Sequence, residues 1–366
     1  MPQHPYAALL GAGAAVLDDS ALHRLTADLS APVRVAVTGR AGAGRGMVRR
    51  ALRGAGALLA DPGGPIDVLA DPGEPSDVDV YVFVETLTSD DVALLAGVDR
   101  PTVAVLNKAD LLCFRGAGPV AVAAARCQEL QRRTGVPTRP LAALLAVAAS
   151  RDTAGQRSLI DALRTVGANP ARLAPGMRHR LLAELDLFGT AIAAAAVGRG
   201  ADTPALAALL HQASGISAVL EEIDRAAAPI RYRRLIGALA RLADAAVGPR
   251  GAGVAEFLAG DAVALARMAA ALDVVGAAAT TVDPAGAAAT TVDPAGAAAT
   301  TVDPAGAAAT TVDPVGGCAT HLRRAVRWRH YAQGPVSALH RRCGTDISRG
   351  ALRLWLQAGG VVEAMP

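Results

Sequence analysis

The chain has 366 residues, 52% of them hydrophobic, and a formal net charge of +3. That length allows two domains and a large core, and so small a net charge gives no reason to expect a nucleic-acid partner. Four cysteines (Cys113, Cys127, Cys318, Cys343) without C-x-x-C spacing indicate neither a zinc site nor a disulfide framework.

Residues 5–30 carry Leu9, Leu10, Val16, Leu17, Leu22 and Leu25 near helical spacing, which predicts one or two helices. The apolar run before Asp18 and Asp19 has no basic flank and makes a poor signal peptide. No long apolar stretch is free of charge, so no spanning helix is expected. The expected localisation is cytoplasmic, with peripheral contact at the inner face of the plasma membrane left open.

The next stretch, APVRVAVTGRAGAGRGM, predicts a buried strand (Val33, Val35, Val37) running into Gly39-Arg40-Ala41-Gly42-Ala43-Gly44-Arg45-Gly46 and then a helix. Strand, glycine loop, helix is the context of a phosphate loop. Glycines let successive amides point at phosphate oxygens, and the helix start adds partial positive charge. Gly39, Arg40, Ala41, Gly42, Ala43, Gly44, Arg45 and Gly46 are therefore the candidate phosphate-binding residues. The G-x-x-x-x-G spacing is intact, but Arg45 stands where the motif has Lys, and its planar fork is bulkier than an ammonium. Gly46 stands where a Ser or Thr hydroxyl would reach magnesium, which argues against a bound Mg2+.

ALLADPGGPIDVLADPG predicts a two-strand ribbon, with apolar runs at residues 57–60 and 66–70 between turn signals. No Thr lies between Arg45 and Asp71 to serve as a magnesium-capping switch residue. Asp71-Pro72-Gly73 is one residue short of D-x-x-G, so Asp71 and Gly73 are either a switch remnant or a plain turn. Because phosphoryl transfer relies on positioning and charge neutralisation, these losses predict very slow hydrolysis or none, and no catalytic residue is assigned.

A strand at Val78–Val84 and a helix from Ser89 precede a second strand, Thr102–Leu106, which ends in Asn107-Lys108-Ala109-Asp110. This resembles the N-K-x-D guanine-specificity motif of GTPases. The resemblance implies that Asp110 accepts from the guanine edge, that Asn107 ties the loop and that Lys108 lies over the base. Lys108 is the only lysine in a chain that otherwise uses Arg, which sets it apart. The bland alternative is a chance turn after a strand. A helix over 119–133 and a last strand over 138–142 follow, and the loop that backs guanine in GTPases would here be Ala142-Ala143.

From Met177 the pattern becomes amphipathic helix, with segments 177–198, 204–227, 229–247 and 254–275 broken at Gly and Pro. AIAAAAV (191–197) reads as buried packing through alanine, with a membrane-touching stripe as the alternative. Residues 276–315 are four copies of GAAATTVDPx, read as a flexible insertion with too little apolar surface for a core. The last segment is helical, with Arg323, Arg324, Arg327, Arg329, Arg341 and Arg342 near Trp328 and Tyr331. It reads as a solvated basic face with Trp328 in the core, or alternatively as an anion-binding patch.

This order resembles the bacterial dynamin-like GTPases, most closely the actinobacterial isoniazid-inducible branch. The likeness is carried by LSAPVRVAVTGRAGAGRG (29–46), DVDVYVFVETLTSDDVALL (77–95), RHRLLAELDLFGTAIAAAAV (178–197) and PALAALLHQASGISAVLEEID (204–224). It implies an α/β P-loop GTPase-like domain, three-layered α/β/α with a mostly parallel sheet, plus an all-α helical bundle acting as a dynamin-like stalk. The expected organisation is N-terminal helices (1–30) on the bundle, the GTPase-like domain (31–166), the bundle (170–275), the repeat (276–315) and C-terminal helices (316–366). The resemblance further implies GTP or GDP as ligand, a homo- or hetero-oligomer with a dynamin-like paralogue, and peripheral membrane contact. The combined expectation is a degenerate GTP-binding protein, non-catalytic partner of an intact homologue. The alternatives are an active GTPase with Arg45 in place of Lys, and a nucleotide-free helical scaffold.

Overall fold

The computed structural model describes residues 6–58, 65–71, 73–97, 99–112, 118–168, 175–245, 251–281 and 317–360. Most of the repeat, Cys113, Pro72 and residues 59–60 of the expected ribbon lie outside them. By its internal contacts the chain divides into two compact units, one of residues 32–61 and 65–226, the other of 1–31, 62–64 and 227–366.

The first unit is built on five parallel strands in the order β2-β1-β3-β4-β5: β1 (Val33–Gly39), β2 (Ile66–Val68), β3 (Val78–Phe83), β4 (Thr102–Asn107) and β5 (Thr138–Leu141). Valine-rich strands covered on both faces are what a parallel sheet requires, and every residue of β3 is buried. Successive side chains of a strand face opposite sides. Tyr81, Phe83, Ala104 and Leu106 accordingly join a core cluster that includes Leu95, Ala123 and Leu130. These three come from α4 (Ser89–Ala96) and α5 (Pro119–Thr134). The alternate residues Val80, Val82, Val103 and Val105 are fully buried.

The crossovers β1–β2, β3–β4 and β4–β5 each carry a helix: α3 (Arg45–Leu58), α4 and α5. α4 starts in a capping box, where the Thr88 hydroxyl accepts from the Asp91 amide and the Asp91 carboxylate accepts from the Thr88 amide. The expected ribbon is corrected: residues 57–58 end α3 and only Ile66–Val68 forms a strand, parallel to β1. No helix joins β2 to β3 among the described residues. The link runs beside β1, with Asp77 accepting from the Arg34 amide at 2.9 Å and Arg34 paired with Glu74 at 3.0 Å.

After β5 come α6 (Ala143–Ala149), α7 (Thr153–Ala168), α8 (Pro175–Gly198), α9 (Thr203–Ser214) and α10 (Ile216–Ala245). Leu145, Leu159, Leu163, Leu181, Leu185, Leu206 and Leu210 form one apolar cluster. This cluster joins α6, α7, α8 and α9, and by internal contacts the first unit runs through residue 226. Ala193, Ala196 and Val197 of the alanine run are buried. By length and composition one 18-residue window of α8 is apolar enough to cross a membrane, with a mean hydropathy of 1.6. A third of that window is nevertheless buried within the unit, and α8 is broken at Asp186, where φ is +60°.

The expected helix break at Ala228-Pro229 is also corrected. α10 runs through Pro229, and the break falls at Gly215. Gly215 has φ +76°, and a Cβ there would sit 2.8 Å from the Pro140 carbonyl oxygen of β5. That close approach to a strand backbone is what requires glycine.

The second unit contains α1 (Ala7–Ala14), α2 (Asp19–Ser30), the remainder of α10, α11 (Gly251–Ala259), α12 (Asp261–Thr281), α13 (Cys318–Gln333) and α14 (Ala338–Gln357). Leu9, Leu25, Tyr232, Leu235, Met268, Trp328 and Ile347 share its core. α12 runs to Thr281, into the first repeat copy. At its centre the Tyr232 hydroxyl donates to Asp346 at 2.7 Å, and Arg267 pairs with the same carboxylate at 2.8 Å.

Candidate functional site

The glycine loop leaves the C-terminal end of β1, which lies between β2 and β3 and is where the strand order reverses. In open α/β sheets that is where ligands bind. Gly39 pairs with Val82 in the sheet register and has φ +128°. A Cβ on Gly39 would lie 2.1 Å from the Val82 carbonyl oxygen. Gly42 and Gly44 also have positive φ, +78° and +85°. The Ala43 amide donates to the Arg40 carbonyl at 3.3 Å, closing the turn, and Ala43 is buried. α3 then starts at Arg45, and its first amides have no partner within the helix.

Asn107, at the end of β4, joins the separate stretches of the corner. Its Nδ2 donates to the Ala43 carbonyl at 2.9 Å and its Oδ1 accepts from the Ala143 amide at 3.3 Å. One buried side chain therefore touches the glycine loop and the Ala142-Ala143 turn together. Gly44 must lack a Cβ for the same reason, since it would come 2.5 Å from Nδ2. Ala142 is held by its own amide, which donates to the Ser214 carbonyl at 2.9 Å. Lys108 follows in left-handed backbone with φ +58° and an exposed side chain. Asp110 lies in a single 3-10 turn (Ala109–Leu111) and is buried, 4% exposed.

Burial raises the Asp110 pKa, and the nearby Asp186 carboxylate raises it further. The native state thus holds the Asp110 proton more tightly than the unfolded chain does. Its contribution to stability is complete below the unfolded carboxyl pKa and is lost as pH rises through the raised native one. Asp110→Asn is accordingly expected to raise the melting temperature by a few degrees at about pH 8 and to leave it unchanged below about pH 4. Paired thermal melts across that range check this.

Arg40 does not point into the loop. Its guanidinium donates to the Thr86 carbonyl at 2.7 Å and pairs with Asp91 at 2.8 Å. Asp91 also accepts from the Tyr81 hydroxyl. Burial alone would raise the Asp91 pKa, but the hydrogen bonds from Tyr81 and Thr88, with the Arg40 charge, hold it below the ordinary carboxylate range. Arg45 is exposed, and no ion pair or side-chain hydrogen bond holds it among the described residues. A Cβ on Gly46 would meet nothing within 4 Å. Asp71 follows β2 and accepts from the Gly73 amide at 2.8 Å, which is the geometry of a plain turn.

Sequence reading missed Asp91, although its capping box is legible as Thr88-x-x-Asp91, and it missed Glu85 and Asp186. Among the described residues only Glu85, Lys108 and Asp186 are non-glycines with positive φ. Glu85 precedes Thr86, the partner of Arg40, and the other two lie beside Asp110. Unfavourable backbone of this kind concentrates at functional sites, and no sequence signal marks it in Glu or Asp. Among the described residues no cluster of three or more His, Cys, Asp or Glu could hold a metal ion. No protein-family model, curated protein or solved structure matches the chain.

Proposed function

We propose that the sheet-bearing unit is a degenerate GTPase-type domain that takes a guanine nucleotide without turning it over efficiently. The observation that carries this reading is the Asn107 bridge, from Ala43 of the glycine loop to Ala143 of the turn that would back the base. Phosphate would lie against the loop amides and the start of α3, with Arg45 as the mobile cation. Asp110 would accept from the guanine edge beside Lys108. Gly46 offers magnesium no ligand, so the nucleoside diphosphate is the preferred form. In keeping with the dynamin-like resemblance, the chain would serve as the non-catalytic member of an assembly with an intact paralogue. Co-purification with such a paralogue tests that part.

Calorimetric titration tests the nucleotide. GDP should bind with or without magnesium, ADP should not, and Asp110→Ala should weaken GDP about a hundredfold, in proportion to two lost hydrogen bonds to a charged acceptor. A companion variant restores the missing chemistry. Because a Cβ at Gly46 meets no atom within 4 Å, Arg45→Lys with Gly46→Ser should fold normally. It should tighten GTP binding in magnesium about tenfold or more relative to GDP, read in the same titration.

The burial of Asp110 favours a second reading, in which the corner is closed and the unit is a nucleotide-free scaffold. Absence of heat and of any melting shift with GDP and GTP would decide for it.

A further inference from the structure

A groove runs along α14, bordered on one side by α12, and Arg267, Arg341, Arg342 and Arg349 line one end of it. Two adjoining cavities of about 460 and 360 Å³ share Arg267, Asp346 and Arg349. Arg341 and Arg342 add to the wall of the first. The only carboxylate lining either cavity is Asp346, which is buried and already taken by Arg267 and the Tyr232 hydroxyl. Arg342 and Arg349 are exposed, and neither has a hydrogen bond or ion pair among the described residues. One end of the groove is therefore cationic, with four arginines against a single carboxylate.

The other end is richer in apolar side chains, and its one further arginine, Arg353, pairs with Asp261 and donates to the Ala259 carbonyl. Leu352 and Leu356 lie one and two turns further along α14 and line the second cavity with Val263 and Ala264 of α12. Both leucines are unusually open for their size, 40% and 45% exposed. Trp328, Tyr331 and Trp355, the aromatics nearest in sequence to this stretch, do not line the groove. Trp328 is in the core, with Arg327 stacked 5.7 Å from its ring centroid. Without aromatic platforms the groove is a poor fit to unstacked bases.

We infer that this groove binds a small anionic amphiphile, a phosphate head on a short apolar body. Guanidinium forks match phosphate oxygens in pairs, and the leucine end removes apolar surface from water. The combined space lies in the ordinary range for a small-molecule site. This site is in the helical unit and does not depend on the nucleotide reading.

Calorimetry on the full chain tests it with three probes: monomeric dihexanoyl phosphatidate, dihexanoyl phosphatidylcholine and inorganic phosphate. Saturable binding of the phosphatidate is expected, with the other two at least about tenfold weaker. Arg342→Gln with Arg349→Gln should weaken phosphatidate about tenfold or more and leave the melting temperature unchanged, since both residues are exposed and unpartnered. Leu352→Ser with Leu356→Ser should weaken phosphatidate and not inorganic phosphate. Asp110→Ala should change none of these values, which separates this site from the nucleotide corner. Absence of saturable phosphatidate binding, or equal binding by the double-Gln variant, overturns the site. Equal affinity for phosphatidate and inorganic phosphate overturns the apolar half of the assignment.

Discussion

Gly39→Ala is expected to unfold the centre of the sheet. The new Cβ would lie 2.1 Å from the Val82 carbonyl oxygen and 2.9 Å from the Val82 nitrogen and carbonyl carbon, all backbone atoms of β3. Val82 is fully buried and sits in register with both β1 and β4, so it has nowhere to move. The φ of +128° adds strain that alanine bears poorly. Backbone strain and overpacking each cost about 1–3 kcal/mol, so their sum is about 2–6 kcal/mol. That is a large share of the roughly 5–15 kcal/mol that holds a typical domain folded. Gly42→Ala is the control. Its Cβ meets nothing within 4 Å, so only the cost of φ +78° remains, about 1 kcal/mol. Hydrogen exchange followed by mass spectrometry reads the difference. Peptides covering β1 and β3 should lose protection in the Gly39 variant and keep most of it in the Gly42 variant.

Such a contrast between two glycines of one loop marks the limit of what a sequence offers. The run Gly39–Gly46 announces itself as a phosphate-type loop through its place between a valine-rich strand and a helix. Nothing in the letters says that Gly39 and Gly44 are packed against neighbours while Gly42 and Gly46 face open space. That distinction comes from β3 and Asn107, which arrive from later in the chain. The strands were legible because parallel strands covered on both faces read as continuous apolar runs, as in Val78–Phe83 and Thr102–Asn107. The short β2 was blurred because three residues between turn signals have no period to measure, and its partner β1 is distant in sequence.

The helix boundaries show the same division. Pro229 suggested an end, yet proline removes only one amide hydrogen bond, and tertiary packing of Tyr232 and Leu235 carries α10 past it. Gly215 suggested nothing unusual, but it is the residue that lets the chain turn against Pro140. In the site, Asn107, Lys108 and Asp110 were legible as a motif, and Ala142-Ala143 by its position after the last strand. The turning of Arg40 away toward Thr86 and Asp91 was not, because an arginine's reach leaves its partner undetermined by local spacing.

Asn107→Ala is expected to loosen the corner whether or not nucleotide binds there. The side chain is buried and satisfies the Ala43 carbonyl and the Ala143 amide at once. Truncation leaves an acceptor and a donor without partners, at about 1–3 kcal/mol each, so a loss of about 2–6 kcal/mol follows. Asn107→Asp should cost at least as much, because a carboxylate still accepts from Ala143 but meets the Ala43 carbonyl oxygen with no proton to donate. Gly44→Ala attacks the same contact from the other side, through a Cβ 2.5 Å from Nδ2. Because the two changes collide at one atom, they should not add. With Asn107 already truncated, the Gly44 methyl group enters space the amide has left, and only the cost of φ +85° remains. The double variant is therefore expected to be more stable than the sum of the single losses predicts by about 1 kcal/mol or more. Denaturant titrations of the four proteins in that cycle measure it directly. Additive losses would show that Asn107 and Gly44 do not meet, and the corner would then lose the side chain that holds its loops together.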